Sequence, residues 1–113
     1  MGPALMVLDL SQLRNVTLDD VALMREVVCA LVTDTSKRIE ELRMAIEQSD
    51  APACTRLAHS AQGACGNVGA ASMAALFWSV EQQARNGNLT RCQSALTDLL
   101  AELEKLRVEA SLV

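Results

Sequence analysis

Residues 89–109 read LTRCQSALTDLLAELEKLRVE, and their spacing decides the class of fold. Leu89, Cys92, Leu96, Leu99, Leu103 and Leu106 recur three or four residues apart, the rhythm of one face of an α-helix. The acids and bases between them fall on the opposite face, which water can take. A helix over about 89–109 follows. The NGN before it, at 86–88, is a turn or helix stop. Upstream, a helix of about 70–86 carries Ala74, Phe77, Val80, Glu81 and Ala84 along it. Earlier still, SDAP ends one helix and opens another. Asp50 caps, and Pro52 sits in the first turn, where a missing N–H is tolerated. That helix holds His59 and breaks around GNVG.

The N-terminal half continues the pattern. Leu18, Val21, Val28, Leu31 and Val32 mark a helix capped by Thr17, with Asp20 as a weak capping-box partner, ending near Thr33 or Asp34. Another starts with Thr35 as cap and buries Ile39, Leu42 and Ile46. Its Lys37, Arg38, Glu40, Glu41 and Glu47 form a solvated face. Ahead of these, LDLSQLR forms a short helix with Asp9 at its start. Connections of a few residues favour antiparallel neighbours. The expected fold is all-α, an antiparallel up-and-down four-helix bundle with a short N-terminal helix. Residues 1–16 are the lead-in, 17–109 the bundle and 110–113 a tail. At 113 residues with 50% hydrophobic content, one domain can bury a core unaided. Phe77 and Trp78 are its only aromatics, so that core is aliphatic. Trp78 is expected to pack beside Phe77, and the five methionines to fill core gaps.

Composition also excludes functions. The net charge is −4 and the lysines are only Lys37 and Lys105, which is not the basic face of a nucleic-acid binder. The longest apolar runs, such as VVCALV, fall far short of the ~20 residues of a spanning helix, so no membrane role is expected. MGPALMVLDL has no basic region and does not read as a secretion signal. Met6 stands where a myristoylation motif has Ser or Thr. Cys29, Cys54, Cys65 and Cys92 form no Cys-x-x-Cys pair; reduced cytoplasmic thiols are expected, most of them small core residues.

The remaining signal lies in residues 57–70, LAHSAQGACGNVGA, which contain the chain's single histidine. A helix turns about 100° per residue. Cys54, Leu57, Ala58, Ala61, Cys65 and Val68 make the buried stripe, and His59 falls roughly 150° from its centre by the same angle. Its neighbours one turn away are Thr55, Arg56, Gln62 and Gly63, a polar or bare face. Mid-helix glycine costs about 1 kcal/mol relative to alanine, so Gly63 has no folding reason to stand beside an exposed imidazole. A cleared space for another molecule is one; Gly66 extends it or serves only to help end the helix. Imidazole in general titrates at about pH 6.5, so its neutral form, with a free lone pair, is available to attack an electrophile. No Ser/His/Asp set, Cys/His pair, phosphate loop or metal-ligand cluster accompanies it. The chain has a nucleophile without machinery for autonomous catalysis.

LAHSAQGACGNVGAASM resembles the core motif of histidine-containing phosphotransfer (HPt) domains. The usual pattern is Ala-His-x-Leu-Lys-Gly, then small residues, then Asn-apolar-Gly-Ala. Ala58, His59, Gly63, Asn67, Val68, Gly69 and Ala70 match in type and spacing, and the flanking helices resemble the family from about residue 8 to 108. The resemblance implies a bundle whose exposed histidine shuttles a phosphoryl group between receiver-domain aspartates. His59 would be the phosphoacceptor and Gly63 the room for the incoming receiver. Asn67 and Gly69 would shape the helix end and the next helix start. Glu81 matches a commonly acidic position whose role stays open. One position departs: the family lysine three residues after the histidine is Gln62, which brings no charge against the phosphoryl group, and Arg56, three residues before His59, is the candidate to supply it.

The resemblance further implies a receiver domain of a response regulator or hybrid sensor kinase as partner, a monomeric chain that binds no cofactor, and Mg²⁺ held by the receiver. Docking is expected on exposed apolar residues of the second and third helices near His59. The alternative favoured by Gln62 is an interaction module that keeps the bundle without phosphotransfer. A histidine-kinase-like dimeric scaffold fits less well, because Ser60 follows the histidine where that motif has an acid and no ATP-binding segment exists. A plain bundle with an incidental histidine leaves Gly63 and the motif to chance.

Overall fold

The computed structural model describes residues 9–67 and 70–112, with the backbone alone for Leu10 and Asn67. Five helices follow in order: α1 Leu10–Thr17, α2 Val21–Glu47, α3 Ala51–Asn67, α4 Ala71–Arg85 and α5 Leu89–Ala110. α2 packs against α3 and α5, and α4 against the same two, which closes a four-helix ring. The turns reverse the chain each time, so neighbours run antiparallel. The fold is the all-α bundle that the leucine spacing implies, with α1 laid against α2.

Each end has a local cause. Asp9 caps α1, accepting from the backbone N–H groups of Ser11 and Gln12 at 3.0 and 3.2 Å. Asp50 accepts from the Ala53 N–H at 3.1 Å ahead of Pro52. Asn88 accepts from the Arg91 N–H at 3.2 Å. Gly87, at φ 72°, makes the left-handed turn between α4 and α5 that a side chain would resist.

Two helix boundaries differ from the periodicity. No break occurs at 33–35: α2 is one helix of 27 residues. Thr35 is buried, at 1% exposure, and faces the core instead of capping. Asp34 instead pairs along the helix with Arg38, at 2.6 Å, an i,i+4 contact that favours continuation. Thr17 likewise does not open α2. It closes α1, buried, its hydroxyl donating to the Leu13 carbonyl at 2.7 Å, and Asp20 caps α2 by accepting from the Leu23 N–H at 3.0 Å. The turn between runs through left-handed Leu18 and Asp19. Leu18 and Val21, two of the residues whose spacing marked this helix, are exposed.

The core joins Leu13 of α1 to Val28, Leu31, Ile39 and Leu42 of α2, Met73, Phe77 and Val80 of α4, and Leu96, Leu99, Leu103 and Leu106 of α5. Three of the four cysteines lie in it, and Cys29 is exposed. Among the described residues, α3 contributes only Cys54, Ala58, Ala61 and Cys65 as fully buried residues. Small side chains let helix axes approach toward the short end of the usual 8–10 Å. α3 consequently makes its most extensive contact with α4. Trp78 does not share the burial of Phe77: it is exposed.

Candidate functional site

His59 leaves α3 on the face opposite its Ala/Cys stripe, and its side chain is 72% exposed. The ring is nonetheless held. Its Nδ1 lies 3.2 Å from both carboxylate oxygens of Glu81, one helix away on α4. The close α3–α4 approach brings these two groups within reach. Glu81 is a buried acid, at 4% exposure, and buried charge requires partners. It has a second one in Arg85, a turn further along α4, whose Nε and Nη2 donate at 3.2 and 2.8 Å.

This geometry fixes the protonation pattern. Arg85 holds the Glu81 carboxyl below the usual carboxylate range, with the His59 contact adding to the effect and burial opposing it. An ionised carboxylate only accepts hydrogen bonds. Nδ1 must therefore carry the proton and donate it, and in the neutral ring the lone pair resides on Nε2, at the ring's far side.

On the other flank, Ser60 is turned toward α2, where its hydroxyl accepts from Arg38 Nη1 at 2.7 Å. Arg38 also holds Asp34. Arg56 joins Lys37, Arg38 and Ser60 in lining the groove between α2 and α3, so it stands on the side of His59 away from Glu81. Gln62 is half-buried one turn along. At Gly63 a Cβ would meet nothing within 4 Å, and the same is true at Gly66. The Gly66 carbonyl accepts from Gln12 Nε2 at 2.8 Å, tying α1 to the end of α3. Asn67 is the last residue of α3, its side chain outside the described residues, and Gly69 lies outside them altogether.

The structure thus gathers His59, Gln62 and Gly63 on one open face and sets Arg56 at its edge. Sequence reasoning left Glu81 without a role and missed Arg85. The signal was available in EQQAR (81–85): an acid in phase with Phe77 and Ala84 needs a buried partner, and an arginine four residues on is placed to be one.

Because nothing touches the added Cβ at Gly63, Gly63→Ala is expected to raise stability by about 1 kcal/mol through helix propensity alone, measured by urea unfolding. Gly63→Gln, which fills the space next to the imidazole, is expected to lower uptake of a transferred group by the ring about a hundredfold, the usual scale of a small misplacement between reacting groups. Equal uptake in Gly63→Gln and wild type would show that the clearing is not used.

Among the described residues, the bundle presents one oriented imidazole on this open face. The comparisons with known proteins agree. The family model described as Hpt domain matches residues 26–109. The crystal structure of histidine-containing phosphotransfer protein B (HptB) from Pseudomonas aeruginosa PAO1 is similar to this chain over 98% of its length and 94% of that protein's, with a TM-score of 0.87 and 25% identity. No match is found among curated proteins. The chain belongs to the Hpt domain family, and its activity is histidine phosphotransfer in phosphorelay signalling.

Proposed function

We propose that His59 is the phosphoacceptor, exchanging its phosphoryl group with the aspartate of a receiver domain in a response regulator or hybrid sensor kinase. The observation that carries this reading is the Glu81 contact, which leaves Nε2 as the nucleophilic nitrogen on an exposed ring. In the forward step the Nε2 lone pair forms an N–P bond as the aspartyl carboxylate leaves with the electrons of the broken P–O bond. The ring then carries positive charge, with its proton still on Nδ1, and the Glu81 carboxylate stabilises it. The reverse step returns the phosphoryl group to a carboxylate and restores the neutral ring. Such transfer depends mainly on positioning and charge. The residues around His59 do not make a Mg²⁺ site, since Glu81 is the carboxylate at the ring and it is engaged by Arg85 and His59. We therefore assign the metal to the receiver.

The test is to incubate the protein with receiver domains charged by acetyl phosphate and Mg²⁺, then map the phosphate by mass spectrometry under alkaline conditions, where phosphohistidine survives. Phosphate on His59 is the expected result; its absence, or phosphate on another residue, would overturn the reading.

Gln62 leaves the phosphoryl group without the family lysine, and we assign the compensating charge to Arg56, at i−3 on the edge of the open face. Phosphorylation adds nearly two negative charges. Exposed charge pairs contribute about 0.2–1 kcal/mol, so Arg56→Ala is expected to shorten the phosphohistidine half-life by up to about fivefold, and Gln62→Lys to lengthen it. Equal half-lives in the three proteins would remove this role.

A further inference from the structure

Trp78 is the chain's only tryptophan, and it stands on α4 with 52% of its surface exposed. Successive helical side chains diverge by about 100°, so burying Phe77, at 1% exposure, turns Trp78 outward. The direction it takes follows from Glu81. Residues three apart on a helix share a face, with Cβ atoms about 5–6 Å apart. Trp78 precedes Glu81 by that interval, and Glu81 touches His59. Arg85, also in contact with Glu81 and 58% exposed, continues the strip on the other side. Since α3 and α4 run antiparallel, the turn of α3 holding Gln62 and Gly63 lies level with the turn of α4 holding Trp78. An exposed indole, a bare glycine and the imidazole therefore lie on one face.

This places the apolar contact on a different helix from the one expected. Among the described residues α3 has no exposed large apolar side chain, and α2 has Val21, Leu23 and Met44. Val21 and Leu23 precede Arg38, the residue level with Ser60, by more than 20 Å of helix at about 1.5 Å per residue. Met44 lies on α2, beyond the groove lined by Lys37, Arg38, Glu41 and Arg56.

We infer that Trp78 is a docking anchor for the receiver domain that exchanges its phosphoryl group with His59. The inference rests on the proposed role of His59. The occupant follows from position: a protein that brings an aspartyl phosphate to Nε2 lies over the imidazole. A protein–protein footprint of about 800 Å² per partner, centred there, covers a side chain one helical turn away. Tryptophan is a frequent hot-spot residue because it buries a large, rigid surface on contact. Arg85 adds a cation at the rim, which suits a carboxylate-bearing partner. Trp78 acts on affinity and partner choice and takes no part in the chemistry.

The test uses the full chain and the receiver domains encoded in the same genome, charged with acetyl phosphate and Mg²⁺. With a receiver that phosphorylates wild type, Trp78→Ala is expected to raise KM for that receiver about thirtyfold, the hot-spot scale, with kcat and the melting temperature little changed. Trp78→Phe is expected to recover most of the loss. Independently, the tryptophan emission of wild type is expected to shift to the blue when the receiver is added. An unchanged KM in Trp78→Ala together with an unchanged emission spectrum, while wild type still accepts phosphate, overturns the anchor and leaves His59 as acceptor. Failure of every receiver to phosphorylate wild type overturns both.

Discussion

His59→Gln is expected to abolish phosphoryl uptake while leaving the bundle intact. The loss follows from the absence of a substitute nucleophile. Glutamine presents an amide where the imidazole presented a lone pair on Nε2. The buried thiols do not replace it: desolvation pushes Cys54 up to about 11 and raises Cys65 and Cys92 as well, so they stay protonated at neutral pH and have no access to a partner. Cys29 is exposed, but it lies on α2 ten residues before Ile39, away from the imidazole. Stability is expected to change little, because the His59 side chain is largely in water and substitutions at such sites usually shift stability by less than about 0.5 kcal/mol. Glu81 keeps Arg85 as a partner in the variant. The measurement is radiolabel transfer from a charged receiver, alongside receiver binding and a urea melt. Binding at wild-type strength with no label is the expected combination. Label retained by a folded His59→Gln protein would place the acceptor elsewhere.

The open face around His59 was legible from sequence because it depends on one helix. The Ala/Cys stripe, the phase of His59 and the position of Gly63 are set by a single rotation of 100° per residue. The contact that orients the ring depends on two helices, and their register comes from small-residue packing and turn geometry that no local pattern encodes. This is why Glu81 could be placed on its helix and left without a partner. The error at Thr35 has a related cause. A β-hydroxy residue in a polar stretch, between Asp34 and Ser36, is a plausible cap, yet the same residue in phase with Leu31, Ile39 and Leu42 is a core position, and the continuous apolar phase prevailed. Trp78 was misplaced by composition: a chain with two aromatics invites packing them together, whereas adjacent positions on one helix cannot both face the core.

Glu81→Ala is expected to lower the rate of phosphoryl transfer about ten- to a hundredfold, the scale seen when a carboxylate that orients a metal-binding histidine is lost, with KM for the receiver little changed. The carboxylate does two things for the ring. In the proposed transfer it selects the tautomer with the proton on Nδ1, and its negative charge opposes the positive charge that develops as Nε2 bonds to phosphorus. Glu81→Gln retains a side-chain oxygen to accept from Nδ1–H and loses the charge, so its rate is expected to lie between the two. The pH dependence separates these functions from simple structural support. The folded-state carboxyl is held below its ordinary range, chiefly by Arg85. Its contribution to stability is therefore fully present above the unfolded value of about 4.3 and is lost as pH falls through the lower folded value. The stability gap between wild type and Glu81→Gln should accordingly be flat from neutral pH down to about 5 and close in stronger acid. Nitrogen NMR of the His59 ring gives the decisive readout: wild type should show the proton on Nδ1, and Glu81→Ala a mixture of tautomers. A slow Glu81→Ala protein with an unaltered tautomer would leave charge stabilisation as the sole role. An unaltered rate would mean that this buried acid serves packing and its pairing with Arg85, and that the imidazole needs no support from behind.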